Sequence, residues 1–187
     1  MTRRVLACGL VVFALATAAC GERAQPAAGS LSVSSLPPTT STSPAAPVVS
    51  RCDAAVLKGE ITPTDSGAGN RYGKLFVTNS GAAPCTLNGY SGLQLLAEDD
   101  SAVPTKLERV ATPGPTPLEL APSGKAAANL HWSVVPAGAE PVDQPCQPEA
   151  RKAAAIPPDD TKPMSLTWDY GPVCGGGRIE ISAFYPA

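Results

Sequence analysis

The sequence predicts an all-β protein, an antiparallel immunoglobulin-like β-sandwich of about eight strands, preceded by a signal peptide and a disordered linker. Three observations predict this fold. The 187 residues include 21 Pro and 17 Gly, which interrupt helices often. Apolar and polar residues alternate over short runs between turn signals. No long stretch has the apolar spacing of an amphipathic helix.

Residues 1–19 are typical of a lipoprotein signal peptide. Arg3 and Arg4 precede an uncharged apolar run over 5–16, which is shorter than the roughly 20 residues that a membrane-spanning helix needs. Small residues then precede Cys20, as in the bacterial lipobox. We therefore expect cleavage before Cys20 and acylation of this cysteine, which anchors the protein in the cell membrane on its extracytoplasmic face. Secretion with a free Cys20 is the alternative.

Residues 20–50 combine the lipidated cysteine with a linker rich in Ser, Thr, Pro and Ala. Between positions 21 and 50, Ser, Thr and Pro make up 15 of 30 residues, and only Glu22 and Arg23 are charged. Such a segment buries too little apolar surface to offset its ordering entropy. We expect a disordered spacer that holds a folded domain, residues 51–187, away from the membrane.

The folded domain contains four cysteines, Cys52, Cys85, Cys146 and Cys174. An even number in an exported domain predicts two disulfides. Three connectivities are possible, and loop-closure entropy does not choose among them. We favour the sequential pairing, Cys52–Cys85 and Cys146–Cys174. A zinc site is disfavoured because no Cys-x-x-Cys spacing occurs.

The predicted strands follow one another at intervals of roughly a dozen residues. They lie at 56–62, 71–79, 93–97, 103–110, 118–120, 125–134, 165–170 and 178–184. The segment 149–156 is the best candidate for a short helix, which Pro157 would end. Residues 64–70 and 98–100 are predicted loops.

Alternation along 125–134 predicts which side chains face the core. Trp132 shares a face with Ala126, Ala128 and Leu130, whereas His131 belongs to the polar face. We expect Trp132 and Trp168 in the core and His131 facing solvent.

The charge and the chemistry-bearing residues exclude several classes of function. Lys and Arg total 14 against 16 Asp and Glu, which argues against a nucleic-acid binder. A single His rules out multi-histidine metal sites. His131 and Ser133 are strand neighbours without a triad pattern. The acidic pairs at 98–100 and 159–160 match no calcium loop. Gly175, Gly176 and Gly177 lack the features of a phosphate loop and predict a flexible turn. We therefore expect no metal, no cofactor and no catalytic residue.

Two segments resemble a known family. Residues 75–81 (LFVTNSG) with 84–93 (PCTLNGYSGL), and residues 120–132 (LAPSGKAAANLHW), resemble the signature of the actinobacterial DUF4232 domain. Ser91 replaces a Pro that is common in this signature. The resemblance covers about residues 52–184. It implies an exported, often lipid-anchored protein with two disulfides and no established activity.

These observations predict a cell-envelope lipoprotein that displays a non-enzymatic binding or interaction module. Its expected partners are the membrane, through Cys20, and an envelope protein or glycan, but no nucleic acid. The alternatives are an envelope hydrolase that uses acidic residues and a structural protein of the cell wall. A pocket holding two carboxylates with raised pKa values would favour the hydrolase.

Overall fold

The computed structural model describes residues 49–187, which are nearly all β. The eleven strands of this part of the chain are β1 (Leu57–Gly67), β2 (Asn70–Asn79), β3 (Cys85–Leu87), β4 (Gly92–Leu96), β5 (Lys106–Arg109), β6 (Leu118–Leu120), β7 (Lys125–Ser133), β8 (Lys152–Ile156), β9 (Met164–Thr167), β10 (Arg178–Ile181) and β11 (Tyr185–Pro186). A four-residue helical segment, α1 (Cys174–Gly177), precedes β10. Between residues 49 and 187 we find no helix of the length and apolar character needed to cross a membrane.

The strands form three sheets. The large sheet has the order β1-β2-β7-β10-β5, and β11 pairs with β7 beyond the end of β10. A second sheet has the order β4-β8-β9, and β3 pairs with β6 in the third. In the large sheet β5 runs parallel to β10, with Ile181 opposite Arg109.

The prediction of a purely antiparallel fold is therefore wrong, and about eight strands was too few. Alternation reports which face a residue occupies, and it carries no information on strand direction. Parallel neighbours need a long connection, and the chain from 110 to 177 supplies it between β5 and β10. The immunoglobulin-like arrangement stays a prediction.

The predicted helix at 149–156 is also wrong, because residues 152–156 form the central strand β8. Alanine favours helices in isolation. Here Ala153 and Ala155 are fully buried beneath the sheet, and β8 pairs with β4 on one side and β9 on the other. Pairing with both neighbouring strands overrides the local propensity.

The first hairpin explains why β1 extends into the predicted loop. β1 and β2 pair from Leu57–Asn79 to Gly67–Asn70, with an irregularity between Pro63 and Asp65. The two turn residues, Ala68 and Gly69, have φ of 47° and 80°. Positive φ at both central positions matches the right-handed twist of the strands, so a tight turn joins them.

The core lies between the large sheet and the β4-β8-β9 sheet. β1 packs on β9, where the Gly59 backbone lies against the side chains of Leu166 and Met164. Trp132 and Trp168 are buried with ring centroids 5.0 Å apart, which confirms their predicted core positions. The predicted inner face of β7 is also found, and Ala127 on its other face is buried as well, opposite Tyr185 of β11.

Two residues in the segments 75–81 and 84–93, which resemble the family signature, have structural roles. Asn79 is fully buried, and its amide donates to the carbonyls of Ala83 and Leu120, each at 2.9 Å. Its Oδ1 accepts from the Gly81 N–H. The Ser91 hydroxyl donates to the Ile156 carbonyl at 2.9 Å, a contact that Pro at this position would not make.

Candidate functional site

A row of polar side chains crosses the outer face of the large sheet. We call it the outer strip; it runs over β5, β10, β7 and β2 and consists of Lys106, Glu108, Arg178, Glu180, His131, Tyr72 and Asn70. Cross-strand pairing places these side chains side by side, for example Tyr72 opposite His131 and His131 opposite Glu180. The strip therefore follows from register rather than from closeness in sequence.

Apart from Tyr72, which stacks on His131, the outer strip is one continuous chain of ion pairs and hydrogen bonds. Arg178 donates from Nε to Glu108 at 2.8 Å and from Nη2 to Glu180 at 2.7 Å. The Lys106 ammonium lies 3.0 Å from Glu108. The hydrogen bond from Lys106, with the charge of Arg178, holds the pKa of the Glu108 carboxyl below its usual range.

His131 sits in the middle of this chain. Its Nδ1 lies 3.0 Å from Glu180 and its Nε2 lies 2.9 Å from Asn70 Oδ1. The Tyr72 ring stacks on the imidazole with centroids 4.7 Å apart. The residue is on the predicted polar face, but it is half-buried rather than freely exposed. Ser133 bonds only to neighbouring backbone, so the described residues hold no Ser–His pair at this point.

A second feature is an anion site that the protein fills with its own carboxylate. Gly175, Gly176 and Gly177 all have φ between 68° and 79°. The N–H groups of Gly175 and Gly176 each donate to the Glu140 carboxylate at 2.8 Å. The N–H of Ala137 and the side-chain amide of Gln147 add two more bonds of the same length.

These four donors, led by the Gly176 N–H, lower the pKa of Glu140 to about 2. Two successive N–H groups of this glycine turn point at one anion, as in a backbone nest. The predicted turn is therefore held by hydrogen bonds to a carboxylate. Glycine is needed here because a Cβ on Gly177 would lie 1.9 Å from the Pro104 carbonyl oxygen. Three glycines in a row were the signal for such a nest, but the sequence did not indicate Glu140 as its occupant.

The same region contains one of two disulfides. The structure pairs Cys52 with Cys85 and Cys146 with Cys174, which is the favoured sequential connectivity. The two sulfurs of the second bridge and the Glu140 carboxylate lie within 4.8 Å of one another. Those sulfurs are bonded to each other and so are not thiolate ligands.

The acidic side chains of the loops at 98–100 and 159–160 make contacts within the protein. Lys152 lies 2.8 Å from Asp100, and this hydrogen bond raises the pKa of Lys152. A hydrogen bond from the Ser101 hydroxyl lowers the pKa of Asp99. Asp160 accepts backbone N–H bonds from Ala54, Lys162 and Thr161, which lower its pKa, that of Ala54 contributing most.

A groove lies beside the end of the first hairpin. We call it the Arg71 groove; it has a volume of about 600 Å³, and its principal lining residues are Asp65, Arg71, Tyr72, Trp132, Asp169 and Tyr170. Trp132, Trp168 and Tyr170 form one aromatic cluster with centroids 5.0 to 5.9 Å apart. The Tyr170 hydroxyl donates to the Ile61 carbonyl at 2.6 Å, and burial raises its pKa.

The sequence pattern did not indicate this groove. Its residues come from β1, β2, β7 and the segment after β9, and only the fold brings them together. A polar residue at the inward-facing position 71, at the end of an otherwise apolar alternation, was the one available signal. Cys20, the predicted lipidation site, lies outside the described residues, as do the predicted signal peptide and nearly all of the linker.

Comparison with known proteins gives a family and no established activity. No curated protein and no solved structure matches the chain significantly. A family model described as a domain of unknown function, DUF4232, matches residues 52–185. This match covers the two disulfides, the outer strip and the Arg71 groove, and the chain therefore belongs to the DUF4232 family.

Proposed function

We propose that this protein is a lipoprotein of the cell envelope that displays its disulfide-stabilised β domain outside the cytoplasm as a non-enzymatic binding module. Acyl chains on Cys20 anchor it in the membrane, and the Ser/Thr/Pro-rich linker separates the domain from the lipid. We infer also that the sheets pack as an immunoglobulin-like sandwich, a proposal supported by the contact of β1 with β9.

The disulfides support the exported location. All four cysteines of the described residues are bridged. Such bonds form and persist in oxidising compartments and are rare in the cytosol. Each closes a loop of about 30 residues and stabilises the domain by about 3–4 kcal/mol in the chain-entropy model. A domain with few large apolar side chains depends on this contribution.

The direction of the carboxylate pKa shifts is the observation that carries the choice of a binding module over a hydrolase. A carboxyl group that acts as a general acid near neutral pH needs a raised pKa. Within residues 49–187, the four carboxylates whose pKa departs clearly from the ordinary value, Asp99, Glu108, Glu140 and Asp160, are all lowered. Their ionised forms accept hydrogen bonds from neighbouring groups, and these bonds stabilise the surface of the domain.

Cys20→Ser tests the anchor. We expect the variant to move from the membrane fraction to the soluble fraction, because it cannot be acylated at that position. Cys8→Ser is the matched control, since Cys8 lies within the predicted apolar run, and it should stay in the membrane fraction. Retention of Cys20→Ser in the membrane would refute the anchor.

The accessibility of the β domain in intact cells tests whether it lies outside the cytoplasm. In intact cells, a membrane-impermeant amine reagent should label lysines of the β domain, such as the exposed Lys58. A cytoplasmic protein expressed in the same cells is the control for leakage. Labelling only after lysis would contradict an extracytoplasmic domain.

A further inference from the structure

We propose that the Arg71 groove is a binding site for an uncharged oligosaccharide, an inference that rests on the proposed function as a binding module and names its ligand class. The volume of about 600 Å³ lies within the range of about 300–1,000 Å³ typical of small-ligand clefts. The groove combines charged side chains that have no ionic partner with aromatic side chains. Neither the outer strip nor the acidic loops has this combination.

The first argument is the hydrogen-bonding capacity left over in the groove. In the described part of the chain no carboxylate lies within salt-bridge distance of Arg71, whose Nη1 donates only to the Asn70 carbonyl at 3.1 Å. Within residues 49–187, the Asp169 carboxylate has no ion pair and accepts no hydrogen bond. By contrast, the charged side chains of the outer strip are paired with one another.

The second argument is the indole of Trp132. Trp132 lines the groove and is 2% exposed. Its Nε1–H is the one buried side-chain polar atom without a hydrogen-bond partner among the described residues. A buried donor without a partner is costly, and a ligand acceptor that reaches it after a small side-chain shift would remove this cost.

The third argument is the aromatic surface. Tyr72 is 42% exposed, and its ring stacks on the ring of His131. Stacking holds the phenol in place, so a ligand meets a rigid aromatic surface rather than a mobile one. Tyr170 is fixed by its hydrogen bond to Ile61 and adds a second aromatic side chain to the lining.

These groups together match the chemistry of a pyranose chain. Each sugar hydroxyl both donates and accepts, so neighbouring hydroxyls can bond to Asp169 and to Arg71 at once. The C–H groups of the ring are apolar and pack against aromatic faces. The groove has two carboxylates, Asp65 and Asp169, against one guanidinium, and this negative balance disfavours phosphates and acidic glycans.

The test is binding by the full mature protein, purified from membranes in a detergent without a sugar headgroup. The probes are linear hexasaccharides of glucose, galactose, mannose and N-acetylglucosamine, with polygalacturonate and hexalysine as charged comparisons. We expect at least one neutral hexasaccharide to bind and to change the tryptophan emission. In Trp168→Phe the change should persist, because Trp132 is then the only tryptophan.

Three substitutions locate the site. Arg71→Ala, Asp169→Asn and Tyr72→Ala should each weaken binding about tenfold, since each removes a charged or stacking contact with the ligand. Glu119→Gln is the matched control; Glu119 is exposed and lies on β6, away from the groove. Circular dichroism checks that every variant is folded.

Three results would overturn the inference. The first is a folded protein that binds none of the neutral hexasaccharides. The second is binding that Arg71→Ala and Asp169→Asn leave unchanged. The third is binding of hexalysine or polygalacturonate at these residues in place of a neutral glycan. In each case, release of Cys20→Ser from the membrane would still support the displayed lipoprotein, so the two proposals fail separately.

Discussion

Replacing Glu140 by Gln should destabilise the domain at neutral pH and have little effect in strong acid. The Glu140 carboxylate accepts four hydrogen bonds, two of them from the backbone of the glycine nest. Glutamine has one acceptor oxygen, and its NH₂ group would face an N–H donor on the other side. At least one donor of the nest therefore loses its partner.

The size of the effect follows from the pKa. The value falls from 4.5 to about 2 in the folded protein, and each pKa unit corresponds to about 1.4 kcal/mol. The full shift would give about 3 kcal/mol, but Glu140 is half-buried and solvent screens part of the interaction. We expect a loss of about 1–2 kcal/mol, which is in the range for hydrogen bonds to a charged group.

The pH dependence has a definite sign. The folded-state pKa lies below the unfolded-state value, so the contribution is complete above about pH 4.5 and is lost as the pH falls towards 2. Urea unfolding of a soluble Cys20→Ser form without residues 1–19 measures it at several pH values. The gap between Glu140→Gln and its parent should narrow across this interval, and Glu119→Gln should show no gap. A gap that is absent at pH 7, or unchanged at pH 2, would refute the reasoning.

The remaining predictions concern residues that stabilise the fold. For the first three, urea unfolding measures the loss of stability. Gly177→Ala should cost more than about 3 kcal/mol because its Cβ meets the Pro104 carbonyl, whereas Gly138→Ala, with positive φ and open space, should cost about 1 kcal/mol; equal losses would contradict the steric argument. Asn79→Asp should cost about 3 kcal/mol or more, since a buried carboxylate cannot donate to two carbonyls. Tyr170→Phe should cost about 1 kcal/mol through its lost hydrogen bond. Non-reducing peptide mapping should recover both disulfides, and free thiols in the domain would refute them.

Much of the fold could be predicted because its strands bury one face. Along β7 the period of two assigned Leu130 and Trp132 to the core and His131 to the other face, as observed. The cysteine count predicted two bridges. The resemblance in 75–93 and 120–132 pointed to the family that the model match shows.

What the sequence did not predict depends on contacts between distant residues. β8 was mistaken for a helix because three consecutive alanines favour one locally, and only pairing with β4 and β9 makes them a strand. The parallel pairing of β5 with β10 is likewise a property of the assembled sheet. Glu140 lies 35 residues before the Gly175 amide that it binds, so no local pattern connects the carboxylate to its donors.

The position of Cys52 determines how tension would pass through an anchored molecule. Just before it, the chain runs beside β3: the Cys52 N–H donates to Thr86, and the Thr86 N–H donates to Ser50, both at 2.8 Å. The bridge to Cys85 then links this entry point covalently to β3. A pull from the membrane side would pass across the sulfur–sulfur bond to Cys85 and bypass residues 53–84. When the opposing force acts on the chain after Cys85, the β1–β2 hairpin, which carries Arg71 and Tyr72, lies outside this covalent path.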